Sequence, residues 1–427
     1  MRSDSRSSRR SGSRDSRYPR GSGVGPAMTV QTYDPQPLRA GIPSLKSGTA
    51  HFDGPGGTQT PAVVADTIAD ALLGPLSNRG RGTAAEIRAD DNVLAARSAM
   101  ADLLGADPGG IVFARSMTQV TFDIARTLAG DWGPGDEVIV TRLDHDANVR
   151  PWVIAAERAG ATIRWAAFDP DTGELPASAV TDLIRANTRL VAVTGASNLI
   201  GTRPDIPAIT AAARTAGALS YIDGVHLTAH APVDVAALGS DFYACSPYKF
   251  LGPHLGVLAA APELLDRLHP DKLLPATNAV PERFELGTLP YELLAGVTAA
   301  VDVLAGLVPS EGTRRQRILA SMAALEAYED ALSARLRAGL DANERVTVYS
   351  NAPHRTPTHL FTVAGHDSVK VSAHLGDHGV DAPASNFYAL ESSRHLGLGD
   401  AGGVRAGLAP YSTDEDVDRL LAALASL

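Results

Sequence analysis

The residue best placed for covalent chemistry is Lys249, in the run Ser246-Pro247-Tyr248-Lys249. A lysine just past a strand can form an imine with an aldehyde. Asp223 closes another apolar run, where a carboxylate can keep a ring nitrogen protonated by pairing with it. Ser116-Met117-Thr118 opens a helical pattern, and a helix N-terminus carrying two hydroxyls suits a phosphate. Ser246 and Tyr248 offer further hydroxyl donors. An imine-forming lysine, a pyridinium partner and a phosphate cradle are together what a pyridoxal 5′-phosphate (PLP) site requires.

Each of these residues also has an ordinary use. A strand-end aspartate commonly caps a turn, and a single lysine is commonly solvated surface. His145 can be a loop histidine satisfied by its neighbours, and Arg405 can belong to a surface ion pair. His226 and His230 stand four apart, but no third ligand and no His-Glu-x-x-His pattern accompanies them, so no metal is expected. Gly54 to Gly57 lacks the Gly-Lys-Ser/Thr of a phosphate loop and reads as a tight turn near the substrate. Trp152 and Phe387 read as packing residues. Convergence of the whole set in space is what favours the chemical reading.

Convergence needs elements that bring these groups to one edge. Helical spacing is predicted over 62–73, 92–104, 118–128, 149–158 and 206–216. Short apolar strands are predicted over 110–114, 136–141, 161–168, 190–194, 218–223, 242–246 and 256–260. Strands alternating with helices imply an α/β fold whose mostly parallel, seven-stranded sheet is covered on both faces. The last two strands have no helix between them, which predicts one antiparallel partner. In doubly wound sheets, ligands bind beyond the carboxyl ends of the strands. There the sequence places Ser116-Met117-Thr118, Asp144-His145-Asp146-Ala147-Asn148, Ser197-Asn198, Asp223-Gly224-Val225-His226 and Ser246-Pro247-Tyr248-Lys249. After a long helical region, 293–340, strands at 346–350, 360–363 and 404–408 and helices at 369–377 and 415–424 predict a smaller α+β domain. The expected division is a tail over 1–27, an N-terminal segment over 28–60 packing on the small domain, a large PLP-binding domain over 61–300 and a small C-terminal domain over 301–427.

The bulk numbers agree with this plan. A chain of 427 residues suits about two or three domains. Its 44% hydrophobic and 20% charged residues are those of a soluble globular protein. No apolar run approaches the roughly 20 residues of a membrane span. A net charge of −10 argues against a body that coats nucleic acid. A single cysteine excludes an internal disulfide framework and fits a reducing cytoplasm. Residues 1–27 carry seven arginines and no apolar core of the roughly 7–15 residues that a signal peptide needs. They are expected to be a disordered basic tail, or to precede a natural start at Met28. A basic arm for an anionic partner is the rival reading.

The ordered motifs resemble the cysteine desulfurase-like branch of the class V aminotransferases, which are fold-type-I PLP enzymes. The resemblance runs from about Phe52 to the C-terminus. Its specific pieces are Phe52-Asp53-Gly54-Pro55-Gly56-Gly57-Thr58, Asp144-His145-Asp146-Ala147-Asn148 with Pro151-Trp152, Ser197-Asn198-Leu199-Ile200-Gly201-Thr202, Asp223-Gly224-Val225-His226, Ser246-Pro247-Tyr248-Lys249 with Gly252-Pro253, and Val404-Arg405-Ala406-Gly407-Leu408. The resemblance implies that Lys249 is the Schiff-base lysine, Asp223 the pyridinium partner and His145 the histidine stacked on the cofactor ring. It puts Asn198 and His226 near the ring hydroxyl and the substrate. Ser116, Met117, Thr118, Ser246 and Tyr248 then surround the phosphate. Thr288, in Glu285-Leu286-Gly287-Thr288, would reach the phosphate of a partner subunit, which implies a homodimer with shared sites. Arg405 would grip the substrate carboxylate. Gly56, Asn386 and Tyr388, with Arg79, Arg81 and Tyr291, are expected in the substrate pocket by proximity.

The departures from that family matter. A desulfurase takes sulfur onto a mobile cysteine on a loop before the carboxylate-binding arginine. No cysteine lies between Leu360 and Arg405, and the one cysteine, Cys245, sits on the strand leading to Lys249. The family's paired phosphate-contact hydroxyls become Met117-Thr118. Asp-Gly-Val-His, with His226 where desulfurases carry Gln, is closer to the epimerase and kynureninase branches. The expected activity is therefore a C–S β-lyase acting on cysteine or an S-substituted cysteine, releasing thiol, pyruvate and ammonia through a Cα carbanion, with Lys249 as the base. The alternatives are a decarboxylating or oxidative deaminase, an epimerase of the isopenicillin N type, a cysteine desulfurase, a PLP-binding module without turnover and, weakest, a nucleic-acid binder using the basic tail.

Overall fold

Seven short apolar runs pair into one sheet in the computed structural model, which describes residues 31–427. The expectation for residues 1–27 lies outside the described residues. The strands are β1 (Ile111–Ala114), β2 (Glu137–Thr141), β3 (Thr162–Ala166), β4 (Thr188–Thr194), β5 (Leu219–Asp223), β6 (Phe242–Cys245) and β7 (Gly256–Ala260). Their order is β1-β7-β6-β5-β4-β2-β3. Only β7 runs antiparallel to its neighbours, as the missing crossover helix predicts.

The inner strands are largely apolar because both faces are covered. Val138, Val140, Ala192, Tyr221 and Phe242 point to one cluster, where Ile124 and Trp152 meet them from helices Met117–Ala129 and Arg150–Ala159. Their strand neighbours Ile139, Val191, Val193, Ile222 and Tyr243 point to the other, with Val93, Ile209 and Val301 from helices Ala84–Leu104, Ile206–Thr215 and Tyr291–Ala305. This is the period-two alternation of a strand, applied to two apolar environments. Only the edge strand β3 alternates exposed with half-buried positions.

Two helical expectations change. The helix expected over 92–104 begins at Ala84, because Thr83 and Glu86 form a capping box. Its charged first turns (Glu86, Arg88, Asp90, Asp91) hide the apolar stripe. The helical region 293–340 is two helices, Tyr291–Ala305 and Arg314–Asp341. Pro309 and Gly312 lie in the break, and a second capping box, Thr313 with Gln316, restarts the chain.

The helix Arg314–Asp341, named α1 below, joins two cores. Its Ile318, Met322 and Leu325 pack under the seven-stranded sheet, and its Leu332, Leu336 and Leu340 pack against a second sheet. That sheet is antiparallel, with strand order Ala384–Ser385, Gly403–Gly407, Thr358–Val363, Val346–Val348. Ala50–His51 pairs in parallel with Val380–Asp381, and Asp53 bridges Gly407. The segment Gly54–Gly57 is thereby brought over the carboxyl rim of the larger sheet.

Candidate active site

The turns after β1, β2, β4, β5 and β6 enclose two adjoining cavities, an inner one of ≈ 80 Å³ and an outer one of ≈ 670 Å³. Lys249, His145, Asn198, Thr118 and Tyr248 line both. Ser116, Met117, Asp223, His226 and Ser246 line the inner cavity. Gly56, Tyr388 and Arg405 line the outer one. Most of the predicted set thus converges.

Lys249 ends the one-turn helix Pro247–Lys249 that follows β6. Its Nζ donates to the Pro55 carbonyl and lies 5.0 Å from the Tyr248 ring centre. Burial pushes the amine down to about 7, and the Arg405 charge adds to this against the pull of Asp223. An amine poised there is a nucleophile and a base near neutral pH. Asp223 is the last residue of β5, and its Oδ1 accepts from the Val225 N–H at 2.9 Å. Burial raises its carboxyl to about 6, opposed by that N–H and by Lys249.

His145 enters the site from the turn after β2. Its Nδ1 accepts from the Ala147 N–H at 3.0 Å, which requires a neutral ring protonated at Nε2. Burial lowers it to about 4, and the Lys249 and Arg405 charges push the same way. Beneath it, Asp144 accepts from Asn148 Nδ2 at 2.7 Å, and Trp152 Nε1 donates to Asn148 Oδ1 at 3.0 Å. Trp152 is therefore packing that also fixes this turn. His226 Nε2 lies 2.9 Å from Thr356 Oγ1 and 3.0 Å from Thr358 Oγ1.

The anion cradle forms where Met117–Ala129 begins. Ser116 caps it by accepting from the Gln119 N–H at 3.1 Å, which leaves its own hydroxyl proton free to donate. The first-turn N–H groups have no helical acceptor, and Ser116, Met117 and Thr118 line the inner cavity. Gly256 of β7 makes this approach possible. A Cβ there would lie 2.2 Å from the Ser116 carbonyl carbon and 2.4 Å from Met117 N.

Arg405 is 2% exposed, so the surface ion-pair reading does not hold. Its Nη1 donates to the Asn198 carbonyl at 3.0 Å, while its buried Nε has no partner among the described residues. Burial pulls the guanidinium down to about 9. Asn198 Oδ1 is likewise buried without a partner. An arginine and an amide left short of partners beside a poised lysine, a strand-end carboxylate and an anion cradle fit PLP with an amino-acid carboxylate.

Some expectations move. Asn386 lines neither cavity; its amide closes a turn, accepting from Tyr388 N at 2.9 Å and donating to the Asp400 carbonyl at 2.8 Å. Arg79 pairs with Asp90 at 2.8 Å and Glu282 at 3.0 Å, Arg81 pairs with Asp90 at 2.5 Å, and Tyr291 Oη accepts from Arg79 N. Thr288 is exposed and lies outside both cavities of its own chain. Phe387 lines the outer cavity over Arg405 and is more than packing. Sequence reasoning also passed over the Pro55 carbonyl, Phe122 and Arg150. Only Pro55 carried a signal, since it lies in the Gly54–Gly57 turn.

Comparison with known proteins agrees with this geometry. The aminotransferase class-V family model matches residues 50–420. An uncharacterized Mycobacterium tuberculosis protein is 34% identical, over 92% of this chain and 99% of its own. A probable cysteine desulfurase of Pseudomonas aeruginosa is 30% identical, over 91% and 97%. Among solved structures, the apo cysteine desulfurase of Thermococcus onnurineus NA1 superposes with a TM-score of 0.83 at 26% identity, covering 93% of this chain and 99% of that one. The Escherichia coli cysteine desulfurase CsdA gives 0.81 at 26%, covering 93% and 98%. The chain belongs to the class-V aminotransferase family, on its cysteine desulfurase-like branch, with the fold-type-I architecture and the pyridoxal phosphate cofactor of that family.

Proposed function

We propose that this enzyme is a C–S β-lyase acting on cysteine or an S-substituted cysteine. The observation that carries the reading is the state of Cys245. It is the only cysteine, it is fully buried on β6, and burial pushes its thiol well above the usual range. It lines neither cavity. The segment over the site, Ala384-Ser385-Asn386-Phe387-Tyr388-Ala389, offers no thiol to accept sulfur.

PLP, when bound, supplies a sink for negative charge developed at Cα. Lys249 would hold it, Asp223 would face its ring nitrogen and the first turn of Met117–Ala129 would receive its phosphate. Arg405 would fix the substrate carboxylate with a planar fork, orienting Cα toward Lys249. The Lys249 amine, neutral above about 7, would take the Cα proton onto Nζ. The electron pair left at Cα would form a Cα=Cβ double bond as the Cβ–S bond breaks and R–S⁻ leaves with its electrons, and hydrolysis by water would yield pyruvate and ammonia. His145, held neutral, adds no positive charge against the cofactor. The same reading makes the working unit a cytoplasmic homodimer, with Thr288 of each chain serving the other. It is supported by the exposure of Leu286 and Thr288 just beyond the buried Arg97–Glu285 pair.

Incubation with cysteine and S-alkyl cysteines in D₂O tests this. Pyruvate with free thiol is expected. Alanine with sulfane sulfur, an inverted and deuterated amino acid, or an aldehyde would instead assign desulfuration, epimerisation or decarboxylation with deamination.

A further inference from the structure

His230 and Glu329 form a buried pair that the chemistry above does not use. His230 Nδ1 lies 2.8 Å from Glu329 Oε2, with side-chain exposures of 4% and 1%. Glu329 comes from α1, 99 positions away in sequence. His230 follows the one-turn helix Leu227–Ala229, which His226 immediately precedes. The His226 and His230 rings meet edge to face, with centres 4.8 Å apart and planes at 72°. His226 Nε2 is already taken up by Thr356 and Thr358. Its Nδ1 is therefore the ring nitrogen left for the inner cavity that His226 lines. His226 is fixed on its far side by two threonines and on its ring by His230, and His230 is fixed by Glu329.

This pair is an expensive way to fill space. A buried carboxylate needs partners for both oxygens, and Glu329 Oε1 has none among the described residues. Apolar side chains of similar volume commonly serve stability as well or better. The charged and titratable groups around the pair are Glu326 and Asp330 on α1 and Tyr33 from the N-terminal segment, while Lys249 and Arg405 act on His226. Burial holds His226 well below the usual histidine range, and His230, Lys249 and Arg405 act in the same direction.

We propose that Glu329 is a positioning residue for the cofactor site: through His230 it fixes the orientation and surroundings of the His226 ring beside the cofactor. The long helix α1 thereby reaches the site without touching it. The inference rests on PLP binding next to Lys249 and is independent of which substrate bond breaks.

The test compares PLP-loaded wild type with Glu329→Gln, His230→Gln and the double variant. The visible absorption of the bound cofactor is followed against pH, and PLP release is timed. Glu329→Gln keeps shape and one hydrogen bond. It should displace the absorption midpoint by about half a pH unit or more and release PLP about tenfold faster, as loss of an orienting partner commonly does. The double variant should match His230→Gln alone, since the effect runs through that ring. A folded Glu329→Gln that titrates and holds PLP like wild type overturns the proposal, and so do additive shifts. Should Glu329→Gln not fold, His230→Leu with Glu329→Leu removes both ionisable groups at similar volume, and an unchanged titration there overturns it equally. A wild type that takes up no PLP overturns the underlying site instead.

Discussion

The guanidinium carbon of Arg405 sits 3.7 Å above the centre of the Phe387 ring. Phe387 and Tyr388 hold φ of 51° and 57°, a left-handed pair without glycine that costs about 1–2 kcal/mol per residue. The strain is held by Asn198 Nδ2, which donates to the Phe387 carbonyl at 3.0 Å, and by the Asp146 N–H, which donates to the Tyr388 carbonyl at 2.7 Å. The result is a buried, aromatic-covered cation lining the outer cavity. Arg405→Lys keeps the charge and loses the fork. It should raise KM for the amino acid about 10- to 100-fold, the worth of one charge-assisted hydrogen bond or two, with a smaller change in kcat. An unchanged KM would place the carboxylate elsewhere.

Lys249→Ala should bind PLP more weakly and lose Cα–H exchange with D₂O. In wild type, borohydride should bleach the bound cofactor and leave it attached at Lys249, as peptide mass mapping would show. Normal exchange in the alanine variant would assign the base to another residue.

The lysine also predicts a pH dependence. In cofactor-free protein, burial lowers its amine from the ordinary 10.5 to about 7. The amine is charged below that value and nucleophilic above it. The rate of PLP capture should therefore rise as pH increases through about 7 and level off well below 10. A midpoint near 10 would mean that the amine is solvated.

Cys245→Ser should keep most activity, because the thiol reaches neither cavity. It should lower stability by about 1–3 kcal/mol, since a hydroxyl replaces a small apolar group in a packed core. Complete loss of activity with intact folding would return the thiol to the mechanism.

The strands from Ile111 to Ala260 and the turns after them were legible because a local signal defines them: short apolar runs closed by polar residues. Lys249, Asp223 and His145 lie at such ends and could be named from there. What was not legible depends on distance in sequence or on backbone shape. The Glu329–His230 pair joins positions that no shared period links. Residue type does not announce the left-handed conformations of Phe387 and Tyr388, because neither is glycine. Asn386 looked like a substrate contact, yet it is used up by the turn those conformations create. The first turns of Ala84–Leu104 were obscured for a local reason, charge on a half-exposed face, and only the Thr83–Glu86 box marked them.

Gly256 shows how far the demands of a cofactor can reach. It bears no side chain and lies on the one strand of the larger sheet that runs against its neighbours. Yet a single methyl group there would collide with the main chain at Ser116 and Met117 and lever the start of their helix off the rim. The position has no room for a side chain, and the reason is clearance instead of reactivity. The anion cradle thus depends on a hydrogen in place of a methyl group on the neighbouring strand.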